Sequence, residues 1–496
     1  MAEKSEAVRE DMTKFWKEHA KDASLDEMML MSGASAIDKK ERPEVLALLP
    51  DIGGKKVLEL GAGIGRFTGE LAQEASHVTA VDFMEQFISK NKEQHGHLGN
   101  IDFRQADVTT LELPKNSFDV IFSNWLMMYL ADEEILKLAD KMSSWLKEDG
   151  FLFFRESCYH QSGDKDRTFN PTKYRSPAFY NALFQSAGSE EGGKNFGFEM
   201  IFSRSIQTYV ELKNNQNQYC WLLHKTQQDT TANHGFETFQ KFLDSRQYTR
   251  NSILSYEKVF GDGYVSTGGP ETTEAFVAML NLKSGQRVLD VGCGIGGGDF
   301  YMAKQYGADV VGMDLSTNMI EIAMERVVHN NGLKVQFEMA DVTKRNYPPE
   351  TFDVVYSRDT ILHIKDKPVL FKKFLTWLKP GGKLLISDYC CGEPPHSEAF
   401  DKYVAQRGYT LCTPPEYGKL IEAAGFVNVK AEDRSWQFTD MLTKEKKWLH
   451  ENKETFLKDH SEADYQGLMD GWTNKLVRVD SGNQKWGLIY AEKAAQ

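Results

Sequence analysis

Short β-branched and Leu-rich runs recur along the chain: KVLEL, HVTAV, SFDVIFS and FLFF in the first half, and RVLDV, DVVGM, FDVVYS and KLLIS in the second. Between them lie stretches with apolar residues at helical spacing, such as GRFTGELAQEA and EILKLADKMSSWL. This alternation predicts an α/β fold, a mostly parallel sheet with helices on both faces. The order of the runs also repeats. VLELGAGIG at 57–65 returns as VLDVGCGIG at 288–296, and HVTAVD, DFRQADVT, SFDVIFSN and SSWLKEDGFLFF each have a counterpart downstream. Asp82 and Asp314 are 232 positions apart, Asp107 and Asp341 are 234 apart, and Trp145 and Trp377 are again 232 apart. So small a drift over five ordered segments predicts two copies of one domain, and the domain-sized period excludes a solenoid.

Each copy ends on two strand-like runs around a polar turn, IQTYVELKNNQNQYCWLLHK and KLVRVDSGNQKWGLIYAEK, which are expected to form a closing hairpin. The polar stretch QQDTTANHG (227–235) reads as a linker, giving domains at 1–235 and 236–496. Before its last two runs the second copy carries TKEKKWLHENKETFLKDHSEADYQGL. By periodicity this is a solvated helix pair, and the sharper reading is a helical lid over the site.

The 496 residues, 41% hydrophobic and 26% charged, exceed one ordinary core and exclude wholesale disorder. A net charge of −13 argues against nucleic acid and against an anionic membrane surface as partners, while leaving room for a local basic pocket. No apolar stretch approaches a membrane span, and MAEKSEAVREDMTKFW is mixed in charge where a signal peptide would be basic and then apolar. Six cysteines without CxxC spacing suit reduced thiols and give no metal site. The expectation is a cytoplasmic monomer that acts on small molecules.

A glycine-rich turn after the first strand, with an acid about 20 residues on, fits a dinucleotide or S-adenosylmethionine. Gly292, Gly294 and Gly297 satisfy GxGxxG, whereas in the first copy Arg66 follows Gly61 and Gly63 in the third place. Glu59 and Asp290 stand two residues before the first glycine, where a pyrophosphate would meet like charge and an ammonium would be welcome. Asp82 and Asp314 are placed to accept from both ribose hydroxyls. Asp107 and Asp341, in matching ADVT segments, suit the adenine amine, with Val108 and Val342 against the ring. Three acids in this order favour S-adenosylmethionine; helix-capping or turn aspartates are the plainer alternative.

Closer motifs narrow the family. SYEKVFGDGYVSTGG, VGCGIGGGDFYMA, YSRDTILHI, ISDYC, QRGY and QKWGL, with RESC, HQSGD and NPTKYR in the first copy, resemble the tandem, plant-like phosphoethanolamine N-methyltransferases of class I. The resemblance covers nearly the whole chain. It implies two Rossmann-like seven-stranded domains, each with its last strand antiparallel, and methylation of phosphoethanolamine in three steps to phosphocholine, with S-adenosyl-L-homocysteine as the other product. It implies Tyr248 and His363 as a catalytic pair. The cofactor set becomes Gly61, Arg66, Asp82, Asp107, Val108 and Asn124 in the first copy, and Val265, Ser266, Gly292, Asp314, Leu315, Asp341, Val342 and Arg358 in the second. The phosphobase set is Ser157, Ser162, Gly163, Arg167 and Tyr174, and then Gln247, Tyr256, Tyr389, Tyr403, Arg407, Tyr409 and Lys475.

The copies are not equivalent. Aligning SNWLMMYL with SRDTILHI sets Asn124 opposite Arg358 and Tyr129 opposite His363, and aligning RESC with SDYC sets Ser157 opposite Tyr389. The resemblance implies that the first copy favours the first methylation and the second copy the later two. Alternatively, the first copy is a structural or regulatory cofactor-binding module, or the substrate is another small amine. On residue type alone, Tyr248 and His363 could equally be core residues.

Overall fold

The computed structural model describes residues 2–19, 24–164, 169–229, 235–330 and 332–495. It separates into two compact units, 1–238 and 239–496. Residues 230–234, most of the expected linker, lie outside the described residues.

The first unit is built on β1 (Lys56–Leu60), β2 (His77–Asp82), β3 (Ile101–Gln105), β4 (Phe118–Asn124), β5 (Leu146–Ser157), β6 (Gly188–Glu191), β7 (Lys194–Ser205) and β8 (Gln218–Gln227). Its main sheet runs β3-β2-β1-β4-β5-β8-β7, with β8 antiparallel to both neighbours and β6 attached to β7. The second unit repeats this with β9 (Arg287–Val291), β10 (Asp309–Asp314), β11 (Val335–Ala340), β12 (Phe352–Arg358), β13 (Leu378–Cys391), β14 (Val427–Asp433) and β15 (Gln484–Glu492). Their order is β11-β10-β9-β12-β13-β15-β14, and β15 is the reversed strand. The central strands are covered on both faces, so Val57, Leu58 and Leu60, like Val288 and Leu289, are fully buried and read as unbroken apolar runs. The order reverses beside β1 and beside β9, and at such a point the carboxyl ends of the strands open a crevice.

The expected closing hairpins do not form. Residues 207–213 of IQTYVELK make the helix Gln207–Lys213, and β8 pairs instead with β7, which precedes that helix. The cause is tertiary: the Glu44 carboxylate accepts from the backbone N–H of Gln207 (2.6 Å) and Thr208 (2.9 Å), satisfying a helix start that the local sequence leaves uncapped. KLVRVD likewise ends the helix Glu462–Asp480, and β15 pairs with β14 and β13. Tyr465, Leu468 and Trp472 are buried at three- and four-residue spacing, which carries the helix through its β-branched end.

The charged insertion lies between β14 and β15 as helices Ser435–Glu451, Lys453–Phe456 and Glu462–Asp480. It is not a solvated pair, since Phe438, Met441, Leu442 and Leu449 are buried and Trp472 packs on Tyr256 and Phe260. In the first unit the helix Ala2–His19 buries Met12, Phe15 and Trp16 against Phe87 and Tyr129. Among the described residues no helix is long and apolar enough to cross a membrane, and no group of His, Cys, Asp or Glu could hold a metal ion.

Candidate functional site

Every residue that the resemblance assigns to the cofactor, catalytic and phosphobase sets of the second copy lines one cavity of about 170 Å³ at the carboxyl ends of β9 to β13. Its cofactor side begins at Gly292, with φ +81° and no room for a Cβ, which would collide with Thr360 Oγ1. Gly292→Ala is expected to cost about 2–4 kcal/mol of stability through left-handed strain and overpacking, measurable by denaturant unfolding. At the end of β10, Asp314 accepts from Gly294 N (3.0 Å) and Ser316 N (2.9 Å), which fixes the carboxylate at the rim with lone pairs to spare. Burial pushes it up to about 6. Asp341 accepts from the Thr343 N–H and hydroxyl at 2.9 and 2.6 Å, so it forms the turn and faces the cavity as well. Val265, Ser266, Leu315 and Val342 complete the wall. Arg358 is a buttress: its five N–H groups go to Ser387 Oγ, Thr273 Oγ1, Gly269 O, Thr267 O and Thr272 Oγ1. As a donor to a cofactor it is already saturated.

Tyr248 ends a π-helical turn, Leu243–Gln247, and its carbonyl accepts from Asn318 Nδ2 at 2.8 Å. Its hydroxyl lies 3.4 Å from His363 Nε2, with the rings at 78°. His363 Nδ1 is buried without a hydrogen-bond partner, and burial, aided by Lys367 and Arg407, drives the imidazole down to about 3. It is therefore neutral at physiological pH. At the far end Gln247 Nε2 donates to Arg407 O (3.1 Å), and the Arg407 guanidinium stands among Tyr248, Tyr256, Tyr403 and Tyr409. No ion pair among the described residues involves Arg407. The Lys475 ammonium sits 5.7 Å from the Tyr389 ring centre and 4.6 Å from that of Trp472, and burial lowers it to about 8.

Sequence reasoning missed Asp359, which lines the cavity between these ends. One carboxylate oxygen accepts from Trp486 Nε1 at 2.8 Å, the other is buried, and the Thr267 backbone N–H lies against the carboxylate. Its φ of +49° turns it out of the strand end. The signal lay in SRDTILHI, one residue past Arg358.

In the first unit Gly61, Arg66, Asp82, Asp107, Val108 and Asn124 line one cavity. Ser157, Ser162, Gly163 and Tyr174 line an adjoining hollow, and Trp125 and Tyr129 border both. Arg167 lies outside the described residues. Asp82 accepts from Gly63 N and Met84 N at 2.9 Å each, as Asp314 does in its own unit, and burial again raises it to about 6. Asp107 accepts from the Thr109 N–H and hydroxyl and lies 3.5 Å from Arg9. Arg66 is held by Asp38 and Glu41, and Asn124 Oδ1 accepts from Arg155. Ser157 and Ser162 both accept from Gln218 Nε2 (2.9 and 2.8 Å), while Gln218 Oε1 accepts from Trp125 Nε1. Where the second unit sets Tyr248 edge-on to His363, the first sets Trp16 edge-on to Tyr129, at 77° and 5.2 Å between ring centres. Arg9, Trp16, Trp125 and Gln218 escaped the sequence reading; the spacing of Met12, Phe15 and Trp16 was the available sign of a buried helix face.

The two carboxylates before the glycine turns diverge. Glu59 lines its cavity and accepts from Thr68 Oγ1 at 2.6 Å. Asp290 is buried with Asp299 and is not part of the cavity wall. Burial raises both to about 8.

Residues 57–150 and 270–431 each match a family described as a methyltransferase domain. The chain is 53% identical to phosphoethanolamine N-methyltransferase 1 of Zea mays, over 98% of this chain and 96% of that protein. It is likewise 53% identical to phosphoethanolamine N-methyltransferase 3 of Arabidopsis thaliana, over 98% of each. Among solved structures, phosphoethanolamine N-methyltransferase 2 of Haemonchus contortus, in complex with phosphomonomethylethanolamine and S-adenosylhomocysteine, superposes with a TM-score of 0.76 at 29% identity. That match covers 92% of this chain and 99% of the other. With a matching domain in each half and relatives aligned almost end to end, the chain belongs to the phosphoethanolamine N-methyltransferases and carries two methyltransferase domains in tandem.

Proposed function

We propose that this chain methylates phosphoethanolamine in steps to phosphocholine with S-adenosylmethionine, the first unit favouring the first methylation and the second unit the later two. The observation that carries this reading is the order of groups along the second cavity. A glycine cradle with Asp314 lies at one end, Asp359, Tyr248 and His363 lie in the middle, and at the other end lies Arg407, which has no counter-ion among the described residues.

The glycine turns admit a close backbone approach, and Asp82, Asp314, Asp107 and Asp341 keep acceptors toward the cavities, so both units fit the cofactor. When bound, it supplies an electrophilic methyl on a sulfonium. The chain's own residues align the nucleophile and remove a proton. A primary ammonium with a pKa of about 10 is almost wholly protonated at neutral pH. The Asp359 carboxylate accepts from that ammonium and holds it near the cradle. As the Tyr248 proton passes to His363 Nε2, the phenol oxygen takes the proton from nitrogen and frees its lone pair. Arg407 and Lys475 hold the phosphate, and the dianion they bind favours the imidazolium and so raises the basicity of His363. The aromatic faces of Tyr389, Tyr403 and Tyr409 suit a methylammonium that sheds N–H donors as it grows.

The test is methylation of phosphoethanolamine and of its mono- and dimethyl forms by the intact chain, with products resolved by mass spectrometry. Free ethanolamine methylated as efficiently as phosphoethanolamine would overturn the substrate. Calorimetry is expected to find two S-adenosylmethionine sites, with Asp82→Ala and Asp314→Ala each removing one. A single site, indifferent to Asp82→Ala, would remove the first unit from the chemistry.

A further inference from the structure

In the second unit the three-residue turn Ile361–His363 follows β12 and presents the imidazole. Lys367, 3% exposed, reaches it from one helical turn downstream. Its ammonium donates to Ile361 O (2.9 Å), Ile364 O (2.7 Å) and Thr410 O (2.7 Å), which uses all three protons on carbonyls. No carboxylate among the described residues lies within ion-pair distance of it. Thr410 N in turn donates to Leu362 O at 2.7 Å. Thr410 directly follows Tyr409, whose ring centre is 5.1 Å from that of His363.

The first unit builds the same arrangement from different residues. Its turn, Met127–Tyr129, matches Ile361–His363 residue for residue. Arg175 donates from Nη1 to Met127 O (3.1 Å) and from Nη2 to Leu130 O (2.6 Å) and Asp132. Lys173 N donates to Met128 O at 2.8 Å. The same three carbonyls are thus taken in the same order, by a buried cation, a loop N–H and the cation again. Yet the residue opposite Lys367 is Glu133, and Arg175 arrives from a distant loop beside Tyr174. The turn's N–H groups also face a carboxylate in both units: Glu156 accepts from Leu126, Met127 and Met128, and Asp388 lies against the Leu362 N–H.

A buried cation bonded to carbonyls forfeits hydration that an apolar side chain would not, so stability alone is a poor reason to keep one. Lys367, bonded only to carbonyls, and Arg175, which also pairs with Asp132, are of separate origin yet grip matching carbonyls, which points to a shared task. We infer that Lys367 and Arg175 are positioning residues that clamp the turn bearing His363 or Tyr129 to the loop bearing Tyr409 or Tyr174. The clamp fixes the span between the phosphate end of each cavity and the group that meets the nitrogen. It rests on the reading of these cavities as phosphobase sites.

The experiment uses the full chain with Lys367→Met, Lys367→Gln and Arg175→Met, assayed on all three phosphobases. Lys367→Met is expected to lower kcat about ten- to a hundredfold for the steps run in the second unit. KM for the phosphobase and calorimetric affinity for S-adenosylmethionine should move less than about threefold, because Arg407, Lys475 and Asp314 stay in place. Lys367→Gln, which keeps two N–H donors, should recover part of the loss. Arg175→Met should do the same to the steps of the first unit. Unchanged kcat in both Met variants overturns the clamp, and so does a parallel fall of kcat, cofactor affinity and melting temperature that glutamine does not relieve. If the Lys367→Met chain does not fold, Lys367→Gln and Arg175→Lys carry the same comparison. Both variants depressing the same steps would refute the division of labour and leave the clamp standing. An unmutated chain inactive on every phosphobase would instead refute the reading of the site.

Discussion

His363→Ala slows methylation of the mono- and dimethyl phosphobases about 10²–10⁴-fold while phosphoethanolamine is still methylated: this is the expected result in the intact chain. The loss follows from the proposed relay, in which the Tyr248 hydroxyl, 3.4 Å from His363 Nε2, passes its proton to that nitrogen, and an alanine leaves a buried phenol with nowhere to send it. The retained step follows from the first unit, where Tyr129 and Trp16 occupy the corresponding positions and no imidazole is replaced. Step-resolved rates with each phosphobase decide it. An equal loss on all three would make the first unit silent, and an equal retention would reduce His363 to a packing residue. The same histidine has a signature in stability. Its folded value of about 3 lies below the roughly 6.5 of an exposed imidazole. The unfolded chain therefore binds a proton that the folded chain refuses. The contribution is complete above about pH 6.5 and is lost progressively as pH falls toward 3, so unfolding free energy should depend on pH less steeply over that range in His363→Ala.

Arg407→Met is expected to raise KM for the second unit's phosphobases by about 10- to 150-fold, the equivalent of the 1.5–3 kcal/mol of a lost hydrogen bond to a charged group. The guanidinium is surrounded by tyrosine hydroxyls, with no carboxylate paired to it among the described residues, so its charge awaits an anion. Lys475 adds a second buried cation from the insertion, lowered to about 8 by burial, and a phosphate beside it would favour the ammonium further. Rates at saturation should fall less than KM rises, because the reacting nitrogen is held elsewhere, by Asp359 and Tyr248. Saturation curves for phosphomonomethylethanolamine with Arg407→Met and with Lys475→Met test this. KM values unmoved in both would mean that the phosphate lies in another part of the cavity.

Much of this was legible in the sequence because it is local or repeated. KVLEL and RVLDV announce central strands through burial on both faces, and Asp82 and Asp314 stand at strand ends that any doubly wound sheet turns toward its crevice. What stayed hidden is set by partners remote in the chain. Glu44 caps the helix at Gln207 from 163 positions away, which no hydrophobic period reveals. Arg358 lines the cavity, but that its N–H groups are spent on Thr267, Thr272 and Thr273 follows only from the fold. Asp359 and Trp125 occupy equivalent places, both at positive φ, yet one is acidic and the other aromatic, so neither motif alone marks the position as part of the site. The Ala2–His19 helix was passed over because its polar residues dominate, although the buried Met12, Phe15 and Trp16 all fall on one face.

The placement of β15 bears on how the second unit is made. Lys383 of β13 pairs with Glu492 of β15, 109 positions later, and β14 joins the sheet only through β15. Until β15 docks, a partly synthesised chain presents two bare strand edges, the kind of surface that invites aggregation and slow, non-local closure. The glycine cradle and Asp314 lie on strands that can pair earlier, whereas Lys475 emerges only nine positions before β15 begins. A nascent second unit could therefore hold its cofactor before it can grip a phosphate. S-adenosylmethionine should accordingly already protect the second unit of a chain arrested before Lys475 from proteolysis, whereas phosphobases should protect that unit only once Lys475 and β15 are in place.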